Sequence, residues 1–363
     1  MVVASNYTYT IMMEKWQFYG VPEKNVAFIA YMIVSNLVAI AGTLAYGLFL
    51  CIVWREAKGA FSNPFYKLAS SLALPDTLTL VLHYGYLTVV AIVGEAKLNF
   101  WHIYWVGFLH DVCFWSVVGH MLIICFNRLA AIVWMVEYRT FYTGRKLAVW
   151  ISSCYILGFG IPITMWSCTC YYHVPSGYGW EFSCGDFSVT CAPIAMKINE
   201  VLCFGTVVVL TSVHLFIFVK IYLIGRHVRV ATDVTVLAMW IRKKQRARRE
   251  RSMALQFFMI SLLLGVHVVF FWMVTPMVQI GLMTPNVGMV ILHLCLILNS
   301  AINPFMYLLL TKDGRRACLK LWYQLRSLDP AQFVGQTSHH VSVVMHKTGV
   351  ATTPPIESNS AGV

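Results

Sequence analysis

The chain has 363 residues, 59% of them apolar and only 12% charged, with a formal net charge of +12. An average soluble protein is about a quarter charged, and a mean hydropathy of +0.68 leaves too little polar surface to keep a globular domain wetted. Secreted domains, cytosolic enzymes and nucleic-acid-binding modules are set aside in favour of a polytopic membrane protein.

Residues 1–25 are polar and aromatic without a continuous apolar core, so no cleavable signal peptide is expected and the first span directs insertion. The segment reads as an extracellular N-terminus, and Asn6-Tyr7-Thr8 places an N-glycosylation acceptor on it. Apolar stretches then run over 26–54, 65–94, 102–134, 147–167, 195–224, 253–280 and 286–310. Each offers about the 20 residues that a helix needs to cross a bilayer, and only a helix satisfies its own backbone there without closing into a barrel. The expected fold is an all-α membrane protein, a seven-transmembrane helix bundle.

Orientation follows from the basic residues. With the N-terminus outside, Lys15, Lys24, Lys97 and Lys197 face out and the other Lys and Arg gather at the opposite face, as the positive-inside rule requires. The charge thus needs no nucleic acid. The longest inner loop ends in Arg242–Arg251, with seven basic residues and one acid. It reads either as a solvated helix extension near anionic lipid heads, at about 1 kcal/mol per basic residue, or as a docking surface for a cytosolic partner.

After the seventh span, TKDGRRACLKLW puts Leu319 and Trp322 on one face with Arg315, Arg316 and Lys320 around it, the pattern of a short interfacial helix. The receptor domain therefore extends over 26–325. Residues 326–363 turn to Ser, Thr, Gly, Pro and His and read as a disordered cytoplasmic tail. Eleven cysteines form no dense framework; Cys51, Cys113, Cys125 and Cys203 lie in apolar blocks as small hydrophobes. Cys318 on the interfacial helix reads equally as a palmitoylation site or a free thiol.

Polar groups inside spans are costly and need an account. Asp76 lies in SSLALPDTLTL, Arg128 follows Asn127 at the inner end of the third span with Tyr138 beyond, and the seventh span ends in NSAINPFMY, Asn299 to Tyr307. These strings resemble the rhodopsin-like G-protein-coupled receptors over residues 26 to 322. Asn299-Ser300 with Asn303-Pro304-x-x-Tyr307 matches the family's seventh-span motif, Leu72-Ala73-x-x-Asp76 its second-span motif, and Asn127-Arg128-Leu129 stands where the DRY triplet does. Trp150 and Pro162 fit the fourth span, Tyr222 the inner end of the fifth, and Phe270 with Pro276 the kink of the sixth. The Asn-Arg variant and the NPFYKL lead-in to the second span look most like nematode chemosensory serpentine receptors.

There are departures. Ile103 stands where the family carries the third-span Cys of its usual disulfide, so the outer loop with Cys168, Cys170, Cys184 and Cys191 is expected to bond within itself and to be more mobile. Val274 replaces the Trp of the sixth span, with Trp272 nearby; His214 stands near the missing fifth-span Pro; and Asn36 lies too far outward to serve as the first-span Asn. Val117 argues against a sodium site, and Ile297 at the Schiff-base position excludes retinal.

The resemblance implies an activation switch of Asp76, Arg128, Asn299, Ser300, Asn303, Pro304, Tyr307, Pro276, Phe270 and Tyr222, in which a polar cluster collapses and the inner end of the sixth span swings out. The two prolines each remove a helical hydrogen bond and create a hinge. G-protein contact falls to Arg128, Tyr138, Arg246 and Arg249. Without an acid at position 127, Arg128 has a weaker resting lock and raised basal activity is expected. By depth alone, His83, His110, Asp111, Trp115, Glu200, Phe271 and His293 are ligand-pocket residues, set against ordinary packing for most of them. Asp111 could bind an amine or simply bond to His83 or His293.

The implied protein is a chemosensory receptor of the plasma membrane, the sensory cilium included. Its partners would be an extracellular small molecule or peptide, a heterotrimeric G protein, arrestin and a kinase at the tail, and membrane lipid. No cofactor, metal or enzymatic activity is called for: the histidines are scattered and no clustered catalytic acids occur. The alternatives are a receptor fold that no longer signals, serving as decoy or partner, and, less favoured for want of an internal repeat, a transporter.

Overall fold

A computed structural model describes residues 26–56, 60–93, 98–133, 138–168, 170–173, 181–184, 191–226 and 234–326. Asn6 and the tail hydroxyls lie outside these residues, as do the side chains of Cys184, Arg246 and Arg249. The spans are α1 (Val26–Arg55), α2 (Pro64–Val93), α3 (Phe100–Val133), α4 (Gly144–Ser167), α5 (Cys191–Arg226), α6 (Val234–Gln279) and α7 (Pro285–Phe305). Each falls within a few residues of its apolar stretch, except that α6 starts nearly twenty residues early. Its basic segment is rich in Arg, Lys and Ala, strong helix formers that carry the helix past the apolar block.

Capping explains the sharp starts. Asn63 Oδ1 accepts from the Phe65 amide at 3.1 Å, with Pro64 at the first helical position. Thr284 caps α7 in the same way, again before a proline. Two of the spans contain a wide π-type turn: Leu82–Leu87 within α2, and Met306–Leu310 directly after α7. The second follows Pro304, whose missing N–H leaves the Ser300 carbonyl without its helical donor.

The bundle is inverted relative to a soluble protein. Leu37, Leu44, Ile156, Val208 and Leu215 are exposed on its outside, whereas Asp76, His83, His110, Asn127, Asn299 and Asn303 are buried within. Such a surface suits lipid and would be a large apolar patch in water. The third span is the hub: 67% of its apolar window is buried, against 22% for the fourth and fifth. A polar staple joins it to two neighbours. His120 Nδ1 lies 2.7 Å from the Ser116 carbonyl; a carbonyl only accepts, so that nitrogen carries the proton and Nε2 accepts from Ser71 Oγ of α2 at 2.9 Å. Tyr155 of α4 donates to the Ser71 carbonyl at 2.9 Å.

Between α4 and α5 the outer loop adds a short antiparallel hairpin to the helical fold, β1 (Cys170–His173) with β2 (Glu181–Cys184). The chain divides into two units, Met1–Gly314 and Arg315–Val363. The helix α8 (Lys312–Leu325) crosses that boundary; Leu319 and Trp322 are exposed on it, and the Arg326 guanidinium lies 4.3 Å from the Trp322 ring.

Two of the closest contacts between spans leave no room for a side chain larger than hydrogen. A Cβ on Gly42 of α1 would stand 2.8 Å from Ala301 Cβ of α7, and one on Gly158 of α4 would collide with Ser116 Oγ of α3. Forcing a side chain into such a contact costs about 1–3 kcal/mol or more. Gly158→Val and Gly42→Val are therefore expected to lower the yield of monodisperse receptor several-fold in fluorescence-detected size exclusion. Gly160→Val, at a position where a Cβ meets nothing within 4 Å, should leave it unchanged.

Candidate functional site

Three groups of interior polar residues occupy successive levels of the bundle. In the middle, Asp76 is fully buried and its Oδ2 accepts from the Tyr46 hydroxyl of α1 and from Asn303 Nδ2 of α7, the latter at 2.7 Å. Asp76 thereby draws three spans to one point. Beside it, Asn299 Oδ1, Asn303 Oδ1 and Tyr307 Oη are buried with no protein partner among the described residues. Ser300, also buried, lies next to Asn299 on the same span.

Towards the predicted inner end, Arg128 is buried and its guanidinium stacks 3.9 Å over the Phe65 ring of α2, with the Phe257 ring of α6 at 5.6 Å. Phe65 and Phe257 meet edge to face at 5.2 Å, and both rings approach Tyr307. The aromatic floor offers the cation a π face. Asn127 turns the other way: its Oδ1 accepts from Tyr138, 3.4 Å away, and the same hydroxyl lies 3.3 Å from Asn63 Oδ1. The resting environment of Arg128 is thus richer than the missing acid suggested, because aromatic groups from two other spans surround it.

Towards the predicted outer end, four buried histidines converge from four spans: His83, His110, His267 and His293. His83, held in the π-type turn of α2, places Nδ1 2.7 Å from His293 Nε2, and the two rings lie 4.7 Å apart. A cleft with room at its centre for about one water is lined by His110, Phe114, His267, Phe271, Leu292, His293 and Leu296.

The expected pocket residues divide. His110, Phe271 and His293 line the cleft and His83 backs it. Asp111 does not join them: one residue onward is about 100° round the helix, and the carboxyl group meets the indole of Trp115 instead of His83 or His293, which bond to each other. Glu200 pairs with Lys197 at 2.6 Å along α5, outside the cleft. Of the expected switch residues, Tyr222 is 66% exposed on the outside of α5, Pro276 is exposed and Phe270 is half-buried, apart from the Asp76 cluster. Val274 packs against Gly288 of α7, whose Cβ would come within 2.8 Å of it, leaving no space for a Trp.

The outer loop is bonded through Cys168 and Cys191, which tie the end of α4 to the start of α5. Cys170 is also disulfide-bonded and stands opposite Cys184 in the hairpin register. Where the family's third-span Cys is absent, Tyr104, Trp105 and Phe108 pack their rings 5.4–5.7 Å from Trp166 and join α3 to α4. Cys318 forms no disulfide.

Sequence reading passed over Tyr46, Phe65, Phe257, His120 and His267. His267 carried a usable signal, being an ionisable residue inside an apolar span; the aromatic residues carried none, since their roles arise from partners far along the chain.

An inverted bundle of seven apolar helices, with its polar residues gathered inside, defines a multi-pass membrane protein of the seven-span receptor class. Residues 37–305 match the family of serpentine type 7TM GPCR chemoreceptors Srx, a group of nematode serpentine receptors, and the chain belongs to that family. No curated protein matches it.

Removing a partner from a buried acceptor costs about 1–3 kcal/mol. Tyr46→Phe is therefore expected to lower the thermal midpoint of the solubilised receptor by several degrees, with Asn303→Ala at least as severe. A midpoint within one degree of wild type for both would show that Asp76 does not tie α1 and α7 together.

Proposed function

We propose that the protein is a chemosensory receptor of the plasma membrane, its N-terminus outside, which binds an extracellular ligand and activates a heterotrimeric G protein as the inner end of α6 moves outward. The observation that carries this reading is Arg128 stacked on Phe65 and facing Phe257. It couples the hub span to α2 and α6 through contacts that must separate if α6 moves. A desolvated cation–π contact contributes up to about 2 kcal/mol, and a shift of about 1.4 kcal/mol changes a two-state population tenfold. A lock of this size holds a receptor at rest yet yields to a ligand.

The supporting roles follow from the same geometry. Asp76, Tyr46, Asn303 and Ser300 form the pivot, and Tyr307 lies between that pivot and the aromatic floor. Pro304 and the wide turn after it allow the end of α7 to change pitch. The basic run of α6 with Arg246 and Arg249, together with Tyr138, serves contact with the G protein, the helix α8 rests on lipid through Leu319 and Trp322, and the tail offers sites for a kinase and arrestin. Asn6 is glycosylated on the outer surface.

The test is nucleotide exchange on co-expressed G proteins, with labelling of the N-terminus on intact cells. Arg128→Ala should abolish exchange at unchanged surface level. Phe257→Leu, which removes the face opposite Arg128, should raise basal exchange about two- to tenfold. Surface receptor silent towards every G protein, in wild type and Phe257→Leu alike, would favour a receptor fold that binds without signalling.

A further inference from the structure

The outer chamber gathers imidazoles without their usual counter-ions. His110, His267 and His293 line it among Phe114, Phe271 and Leu296, and no Asp, Glu, Lys or Arg of the described residues does so. His83 stands behind, bonded to His293. All four histidines are between 2% and 6% exposed. The other titratable groups around them are few. Tyr31 of α1 and Tyr86 of α2 pack in one cluster with Leu296. The ring of His102, exposed near the start of α3, lies 5.6 Å from that of Tyr86. Asp111 of α3 is turned to Trp115. Asp76 lies deeper in α2, held by Tyr46 and Asn303, and Lys197 and Glu200 of α5 pair with each other outside the cleft.

The His83–His293 contact can be counted in protons without fixing a tautomer. Two imidazoles carry four ring nitrogens. A bond between His83 Nδ1 and His293 Nε2 at 2.7 Å needs a proton on one of these two atoms and a lone pair on the other. While the bond stands, the pair therefore holds at most one proton more than a neutral pair. Once parted, it holds two more. Whichever ring donates, the separated pair takes up a proton that the bonded pair has no room for, so acid favours separation. An imidazole in water titrates at about 6.5. One additional site of that kind shifts the ratio of parted to bonded forms about tenfold between pH 7.5 and 5.5. His110 and His267 act in the same direction, because each further charge repels the others in a chamber with no carboxylate to balance them.

Resting on the receptor reading above, we propose that the chamber is a proton-sensing site. The ligand is the hydrogen ion of an acidified exterior, delivered by hydronium with release of water, and its uptake parts His83 from His293 and so frees α2 from α7 at the predicted outer end. The space suits that ligand: room for about one water admits hydronium and excludes an organic molecule. The side chains suit it as well, since histidine alone has an unperturbed charge change between pH 5 and 8. A carboxylate in the lining would have held a charged imidazole in place as an ion pair, and the chamber would then stay closed in acid.

The experiment reads opening at the pair directly, on the full-length receptor reconstituted in vesicles without G protein. Amide hydrogen exchange over Leu82–Leu87 and over 292–296 is followed at pH 7.5 and 5.5 and corrected for the intrinsic rate. Opening of these segments should rise about tenfold at the lower pH in wild type. In the double variant His83→Gln with His293→Gln, which keeps polar groups at both positions but cannot titrate, the rise should be about twofold or less. Asp111→Asn should keep the wild-type rise to within about twofold. Wild-type opening that is the same at both pH values overturns the proposal with no variant needed. A rise that the double variant shares, or that Asp111→Asn abolishes, also overturns it. In cells, the same fall in external pH should raise nucleotide exchange at least about threefold in wild type and not in the double variant. Acid that opens the segments in a receptor silent towards every G protein, Phe257→Leu included, would refute the signalling function and leave the proton site standing. Exchange by Phe257→Leu in a receptor whose segments ignore acid would do the reverse.

Discussion

A carboxylate placed in the middle of a lipid-exposed bundle has to find its partners within its own chain, and most of the interior is arranged around the one at Asp76. Tyr46 reaches it from α1 and Asn303 from α7, so three spans are fixed in register by one side chain. The close approach of Gly42 to Ala301 brings α1 and α7 together, close enough for both hydrogen bonds to form. In water such a group would lose little by separating, because solvent would replace each partner. Within a bilayer no replacement is at hand, and the cost of separation stabilises the resting geometry.

The same reasoning applies to Arg128, which follows Asn127 and not an acid in the chain. A guanidinium buried without compensation would be prohibitive, and Phe65 and Phe257 supply π faces to it. Cation–π contact is less directional than a bidentate salt bridge and holds through several geometries. It suits a contact that the proposed outward movement of α6 would loosen. Asn127 is freed for a different task, bridging through Tyr138 towards Asn63, the residue that caps α2.

The spans were legible in the sequence because lipid imposes length and apolarity on each of them, and the seventh-span and second-span strings disclosed the family. The early start of α6 was harder to read, because the basic run Arg242–Arg251 separates its first turns from the apolar block, and hydropathy scores as loop a run whose Arg, Lys and Ala favour helix. The site was legible only where a single residue declares itself, as Asp76 and Asn303 do. Tyr46, Phe65 and Phe257 read as ordinary apolar span residues, and their roles come from pairings that no local pattern specifies. Asp111 misled for the converse reason: an acid in the third span invites an ionic reading, but one residue of helical rotation directs it to Trp115.

The two ends of the bundle are joined through α2 and α7. His83 sits on α2 one to two turns beyond Asp76, with the π-type turn setting its direction, and its partner His293 lies on α7 some two to three turns before Asn303. On the proposed function, a ligand that altered the His83–His293 hydrogen bond would act on the same two helices that Asp76 and Asn303 clamp. Any change in their relative rotation reaches Tyr307, which lies beyond the clamp against Phe65 and Phe257. Interfaces packed this tightly change between discrete arrangements and do not deform smoothly. Reorganising one hydrogen bond in the outer cleft is thus connected to the floor under Arg128 by two short lengths of helix, with a single polar pivot between them.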